Sequence, residues 1–225
     1  MYNVSEEGVY EYRPMRVRLS LRTDYIFFPV DSDDFAKTIE AQGYEVKTAP
    51  QTMGPIRLEI PGQLAVKEGC NIQLDTNRQI LGVDGDSPQR VIEIFEELEG
   101  IIIDDMKIDY RDSIKFYETI IDYHIYSPKN PREIIENALK DTKLERVLST
   151  LLGIEVAPFT LRYASKERLP NSTEWMDLRI EPFVRRADKI YAFNVVHRSA
   201  EGEEVKKTLQ SIQDIMASVV KEIET

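Results

Sequence analysis

The chain has 225 residues, 42% of them hydrophobic and 31% charged, with a formal net charge of −11 at pH 7. That balance suits one large domain or two of about 100 residues each and excludes a disordered chain. The acidity excludes a protein whose whole surface clamps nucleic acid, because repulsion from phosphates is long-ranged, though it leaves room for one local basic face. No apolar run approaches the roughly 18 residues of a membrane span. The opening MYNVSEEGVYEYRP carries acids where a signal peptide would be basic, and it lacks an apolar core. We therefore expect a cytoplasmic protein with no membrane partner. Cys70 is the only cysteine, which rules out an intramolecular disulfide and a cysteine-based zinc site. Frequent charge and Ile/Glu-rich helices lead us to expect a thermophilic or archaeal source.

After an N-terminal extension over 1–14, MRVRLSLRTDYIFFPV (15–30) begins as an alternation. Met15, Val17, Leu19 and Leu21 fall on one side and Arg16, Arg18, Ser20 and Arg22 on the other, the period of a half-buried strand. Asp31 or Ser32 can cap the helix that follows, and Gly43 can end it. YEVKT, IRLEI and QLAVK read as short strands, and NIQLDTNRQILGV as a hairpin turning near Thr76 and Asn77. In NRQILGVDGDSPQRVIEIFEELEG (77–100), Gly82, Asp84, Gly85 and Asp86 stand before a helix expected from about Ser87 to Ile103. Ser87 and Pro88 make a cap and first-turn pair, and the glycines suit a bulge or a positive-φ turn. The spacing lacks the Lys and Ser or Thr of a phosphate loop, and no acid completes a calcium loop. The cluster reads as a structural turn.

The second half repeats the order. SIKFYETIIDYHIYS is a strand rich in β-branched and aromatic residues. Asn130, Pro131 and Glu133 form a helix start, and one helix is expected to run to about Leu152, where Gly153 stops it. EVAPFTLRYAS, EWMDLRIEPFV and KIYAFNVVHRS are strands, and a helix from about Gly202 to Glu224 follows. The spacings Val91, Phe95, Leu98, Ile102 and Val205, Leu209, Ile212, Met216 fit either a coiled-coil seam or a helix on a sheet. Ile94, Ile101, Ile215 and Val220 widen the stripes and favour the sheet. The expectation is an α+β protein of two pseudo-repeated halves, 15–106 and 107–225. Each is strand, helix, antiparallel strands, helix, and the two share one antiparallel sheet with helices on one face.

If apolar strand residues face those helices, Arg16, Arg18, Arg22, Arg57, Arg162 and Arg179 point to the opposite, open face. The helix around EIFEELEG is acidic by contrast. Such arginines suit phosphate or carboxylate recognition, or cross-strand pairing with Glu59, Asp177 and Glu181. VRRADK (184–189) reads as a solvated hairpin tip. His124 and His197, the only histidines, fall on different strands without a metal constellation around them. No nucleophile motif appears, and no cofactor or metal is expected.

The element order resembles the TATA-box-binding protein superfamily over about 15–224, most closely where the hairpin QILGVDGDS enters an amphipathic helix. The resemblance implies a saddle-shaped antiparallel sheet with helices on its convex side. Phe27 and Phe28 are adjacent and lie before a helix, while Phe159, Phe183 and Phe193 have no counterparts in the first half. The wedge pattern that kinks DNA is therefore missing, and TATA recognition is not implied. The sequence favours a non-enzymatic binding or regulatory protein that takes a protein partner, or a second copy, on the open face. Two alternatives remain. One is a nucleic-acid-associated factor using the strand arginines. The other is a helix-grip-like ligand carrier or enzyme whose cavity is lined by Tyr117, Tyr123, Tyr163, Trp175 and Tyr191.

Overall fold

The computed structural model describes residues 10–25, 28–47, 63–140 and 142–225. Among them nine strands form one sheet in the order β2-β3-β4-β5-β1-β6-β9-β8-β7, every pair antiparallel. The strands are β1 (Glu11–Thr23), β2 (Glu45–Val46), β3 (Gln63–Lys67), β4 (Cys70–Asp75), β5 (Ile80–Gly85), β6 (Ile114–Tyr126), β7 (Leu161–Ala164), β8 (Trp175–Pro182) and β9 (Ile190–Ser199). Five helices accompany them among the described residues: α1 (Ser32–Ala41), α2 (Pro88–Gly100), α3 (Pro131–Ala138), α4 (Lys143–Leu152) and α5 (Gly202–Ile223). The fold is α+β, as the sequence predicts. The expected strand IRLEI, and with it Arg57 and Glu59, lies outside the described residues.

Sequence patterning explains the layers. Val17, Leu19 and Leu21 of β1 are fully buried beneath the helices, together with Leu81 and Val83 of β5 and Ile121, Tyr123 and Ile125 of β6. Helix α2 lays Val91, Phe95 and Leu98 on β5 and β1, and α5 lays Val205, Leu209, Ile212 and Met216 on β6 and β9. Each such side chain contributes about 1.5–3 kcal/mol by leaving water. The wide stripes therefore mark helices on a sheet. Helix α2 ends in a wider π-type turn over Ile101–Asp105, closed by Met106 N donating to Ile101 O at 3.0 Å.

Several local expectations need correction. Strand β1 starts at Glu11 and carries an irregularity between Pro14 and Arg16. That offset takes Met15 out of the Val17 row and leaves it exposed. Gly82 and Gly85 are not turn glycines. Both lie within β5, and neither has positive φ. The helix expected from Asn130 to Leu152 is two helices. Thr142 accepts from Glu145 N at 3.1 Å and starts α4 afresh. EVAPFTLRYAS is strand only over Leu161–Ala164.

Candidate functional site: the uncovered sheet face

Residues directly opposite in neighbouring strands share a face, so the register defines the surface away from the helices. Arg18 lies opposite Asp84 and Ile120, and Ser20 opposite Gly82 and Glu118. Glu118 lies opposite Arg198, and Arg198 opposite Trp175. Arg179 faces Asn194 on one side and Arg162 on the other. Arg16, Arg18, Arg22, Arg162 and Arg179 thus occupy one continuous face spanning β1 to β7.

Carboxylates interleave with them. Arg16 holds Asp84 through Nε (2.9 Å) and Nη2 (2.8 Å), both on Oδ1. Asp84, one of the supposed turn acids, is therefore an ion-pair partner. Its Oδ2 is buried and lacks a hydrogen bond among the described residues. Arg162 grips Asp177 with two parallel bonds, Nε–Oδ1 at 3.0 Å and Nη2–Oδ2 at 2.6 Å. This hydrogen bonding, with the charge of Asp177, raises the guanidinium above its ordinary range. Arg179 lies 3.8 Å from Glu181. Cross-strand pairing thus accounts for Arg16 and Arg162, and Arg179 meets Glu181 along its own strand β8; Asp177 and Glu181 were expected as partners, Asp84 was not foreseen.

Arg18 and Arg22 differ. Neither makes an ion pair with another described residue, and the Nε of Arg18 is buried without a hydrogen-bond partner there. Gly82 leaves room for the Arg18 side chain: a Cβ at 82 would sit 3.5 Å from that Nε and 3.1 Å from Ser20 Cβ. Arg18 and Arg22 flank Ser20 on one strand, roughly 13 Å apart along it. A single phosphate cannot span them, whereas an extended chain with spaced carboxylates can.

The sequence reading overlooked Arg198. It bonds Glu118 through Nε at 3.0 Å, reaches Pro170 O (3.0 Å) and Ser172 O (2.9 Å), and covers the Phe116 ring at 4.3 Å. The alternation of KIYAFNVVHRS, with Phe193 and Val195 on the buried side, was the signal that places it on this face. His124 also lies on this face and stacks on Phe183 at 4.4 Å. Burial, and then Arg13, lower its pKa. His197 is on the helix side, in the row of Phe193 and Val195, so the two histidines cannot meet across the sheet. Nor do the five candidate pocket aromatics converge. Tyr123 and Tyr191 are buried in the core, Tyr163 is exposed, and Trp175 lies on the uncovered face beside Arg198.

Two other clusters have catalytic residue types in structural roles. Glu224 accepts from Ser127 Oγ (2.7 Å) and Tyr191 OH (3.1 Å) on Oε1, and from Tyr10 OH on Oε2. Burial, and then Glu224, push Tyr10 up to about 12. Both carboxylate oxygens are occupied, so the group anchors the end of α5 to β6 and β9. The Cys70 thiol is buried and raised chiefly by that burial, which makes it inert. Among the described residues no three His, Cys, Asp or Glu side chains gather as a metal site, and no helix is long and apolar enough to cross a membrane. A search of protein-family models finds no match to the chain, and no curated protein matches it.

Proposed function

We propose that the chain is a non-enzymatic binding or regulatory protein that takes an acidic protein segment on the uncovered face of its sheet. One observation carries this reading. The helices lie on the other face, and this one presents Arg18 and Arg22 without ionic partners among the described residues. A net charge of −11 disfavours a polyanion as long as DNA, and the carboxylates between the arginines would repel a phosphate backbone. A guanidinium with a free edge instead suits one carboxylate at a time. The carrier reading receives less support, because Leu209, Ile212 and Met216 fill the space between α5 and the sheet.

The same proposal includes a duplicated architecture. Strands β1 and β6 pair at the centre. Outward from β1 run β5, β4, β3 and β2, and outward from β6 run β9, β8 and β7. This order supports two copies of one unit, the arrangement implied by the TATA-box-binding resemblance.

The test is a pull-down with the wild type and with an Arg18→Glu/Arg22→Glu variant, bound proteins being identified in each and fold checked by circular dichroism. A partner held by the wild type and lost from the folded variant is the expected result. An unchanged set of bound proteins overturns the reading. So does tight binding of DNA at about 50 mM salt that declines steeply as salt rises.

A further inference from the structure

Helix α4 is mounted inside out. Its apolar residues Leu144, Val147, Leu148, Leu151 and Leu152 recur at helical spacing on one side, and all are exposed. Leu144 is 66%, Leu151 76% and Leu152 60% accessible, and Ile154 just beyond the helix 63%. The less exposed side is polar. Ser149 Oγ accepts from Val156 N at 3.1 Å, and Glu145 has an unpartnered buried oxygen. No residue of α4 is buried. A ten-residue helix with its apolar side in water gains little from its own chain.

We propose that this stripe is a homodimer interface in which α4 packs antiparallel against α4 of a second copy, about a two-fold axis near Leu148. Charge selects both occupant and orientation. Lys140, Lys143 and Arg146 outnumber Asp141 and Glu145 at one end of the segment, and Glu155 stands at the other. Antiparallel packing sets the lysines of each copy opposite Glu155 of the other and aligns the helix dipoles favourably, whereas parallel packing sets lysine against lysine. The acids Asp141, Glu145 and Glu155 balance Lys140, Lys143 and Arg146. Two copies of net charge −11 can therefore meet here without local repulsion.

Area agrees. At about 180 Å² for a fully exposed large apolar side chain, the six side chains from Leu144 to Ile154 offer on the order of 600 Å². Two copies together approach about 1,200 Å², the lower bound for a specific interface. The patch of about 600 Å² on one copy is itself at the top of the range that a monomer usually leaves as one apolar patch. An anionic membrane is a poorer occupant, because the chain is acidic and α4 itself offers only Lys143 and Arg146 to lipid headgroups.

Sedimentation equilibrium of the full chain tests this, with Leu144→Lys/Leu151→Lys as the disrupting variant. The wild type is expected to be a dimer, and the variant a folded monomer with its dissociation constant raised roughly 100-fold or more, as for lost hot-spot contacts. Cross-linking guards against a variant that fails to fold. Cys70 is the only cysteine and is buried, so Leu148→Cys introduces a single accessible thiol. It should form a disulfide-linked dimer on mild oxidation, while Lys221→Cys on α5 should not. A monomeric wild type, a double variant that dimerises normally, or no linkage through Leu148→Cys overturns the proposal. Co-sedimentation of the wild type with phosphatidylserine vesicles, lost in the double variant, also overturns it.

Discussion

A Cβ added to Gly85 would stand 2.9 Å from Val91 Cγ2 and 3.0 Å from Cys70 Sγ, both in the core. Alanine in mid-strand normally gains about 0.5–1 kcal/mol over glycine. Here the stiff valine of α2 must move, so Gly85→Ala should instead cost about 1–3 kcal/mol by overpacking. Urea unfolding decides the sign, and a gain would show that the contact relaxes. Two half-buried ionisable groups should tilt stability with pH in opposite directions. Burial above all raises Glu99 from its ordinary 4.5, against Lys206 and the Tyr117 hydroxyl, which lower it, and with Glu96 and Glu203, which raise it. Its stabilising share is full below 4.5 and disappears as pH rises through the folded value. Glu99→Gln should therefore raise the melting temperature at pH 7 and remove that slope. Burial lowers His197 from 6.5, opposed by Glu204 and Glu174. Its share is present above 6.5 and disappears as pH falls through the folded value. His197→Gln should flatten the acid limb of a melting series, and an unchanged limb would count against a neutral, half-buried imidazole. Residue types alone cannot reveal such packing. Asp84 looked like a turn acid because Arg16 lies far away along the chain.

Helix caps were readable in the sequence, and their energetic weight was not. Ser87 accepts from Arg90 N at the start of α2, as the Ser-Pro order predicts. Thr142 with Glu145 three residues on has the form of a capping box. The apolar periodicity running from α3 into α4 masked it and made one helix of two. The structure separates the consequences. Helix α2 buries Val91, Phe95 and Leu98, so Ser87→Ala should lower global stability by about 0.5–2 kcal/mol. Helix α4 buries nothing, so Thr142→Ala should loosen only that segment. Hydrogen exchange read at concentrations that disfavour association should speed up over 143–152, with the global midpoint within about 0.5 kcal/mol of wild type. An equal global loss from both substitutions would show that α4 is cooperatively tied to the core. Periodic strands were legible where one side meets the helices, as in β1, β6 and β9. The stretch before β7 has residues suited to a strand, but ladder pairing with β8 begins only at Leu161.

The antiparallel sheet and its helical layer followed from alternation and wide apolar stripes. Which arginines would stay unpaired did not, since that depends on the register between strands far apart in sequence. Strand β1 occupies the middle of the sheet, with β5 and β6 as neighbours. Val17 must find Gly85 on one side and Ile121 on the other. On a ribosome adding roughly 5–20 residues per second, β1 emerges and then waits on the order of 5–20 s for its second neighbour to be made. Through that interval Val17, Leu19 and Leu21 have no finished sheet to enter. Loop-closure entropy must be overcome before these distant pairings stabilise anything. Among the described strands β1 thus waits longest for its second neighbour, and nascent chains are most prone to cross-pairing with one another until β6 has left the exit tunnel.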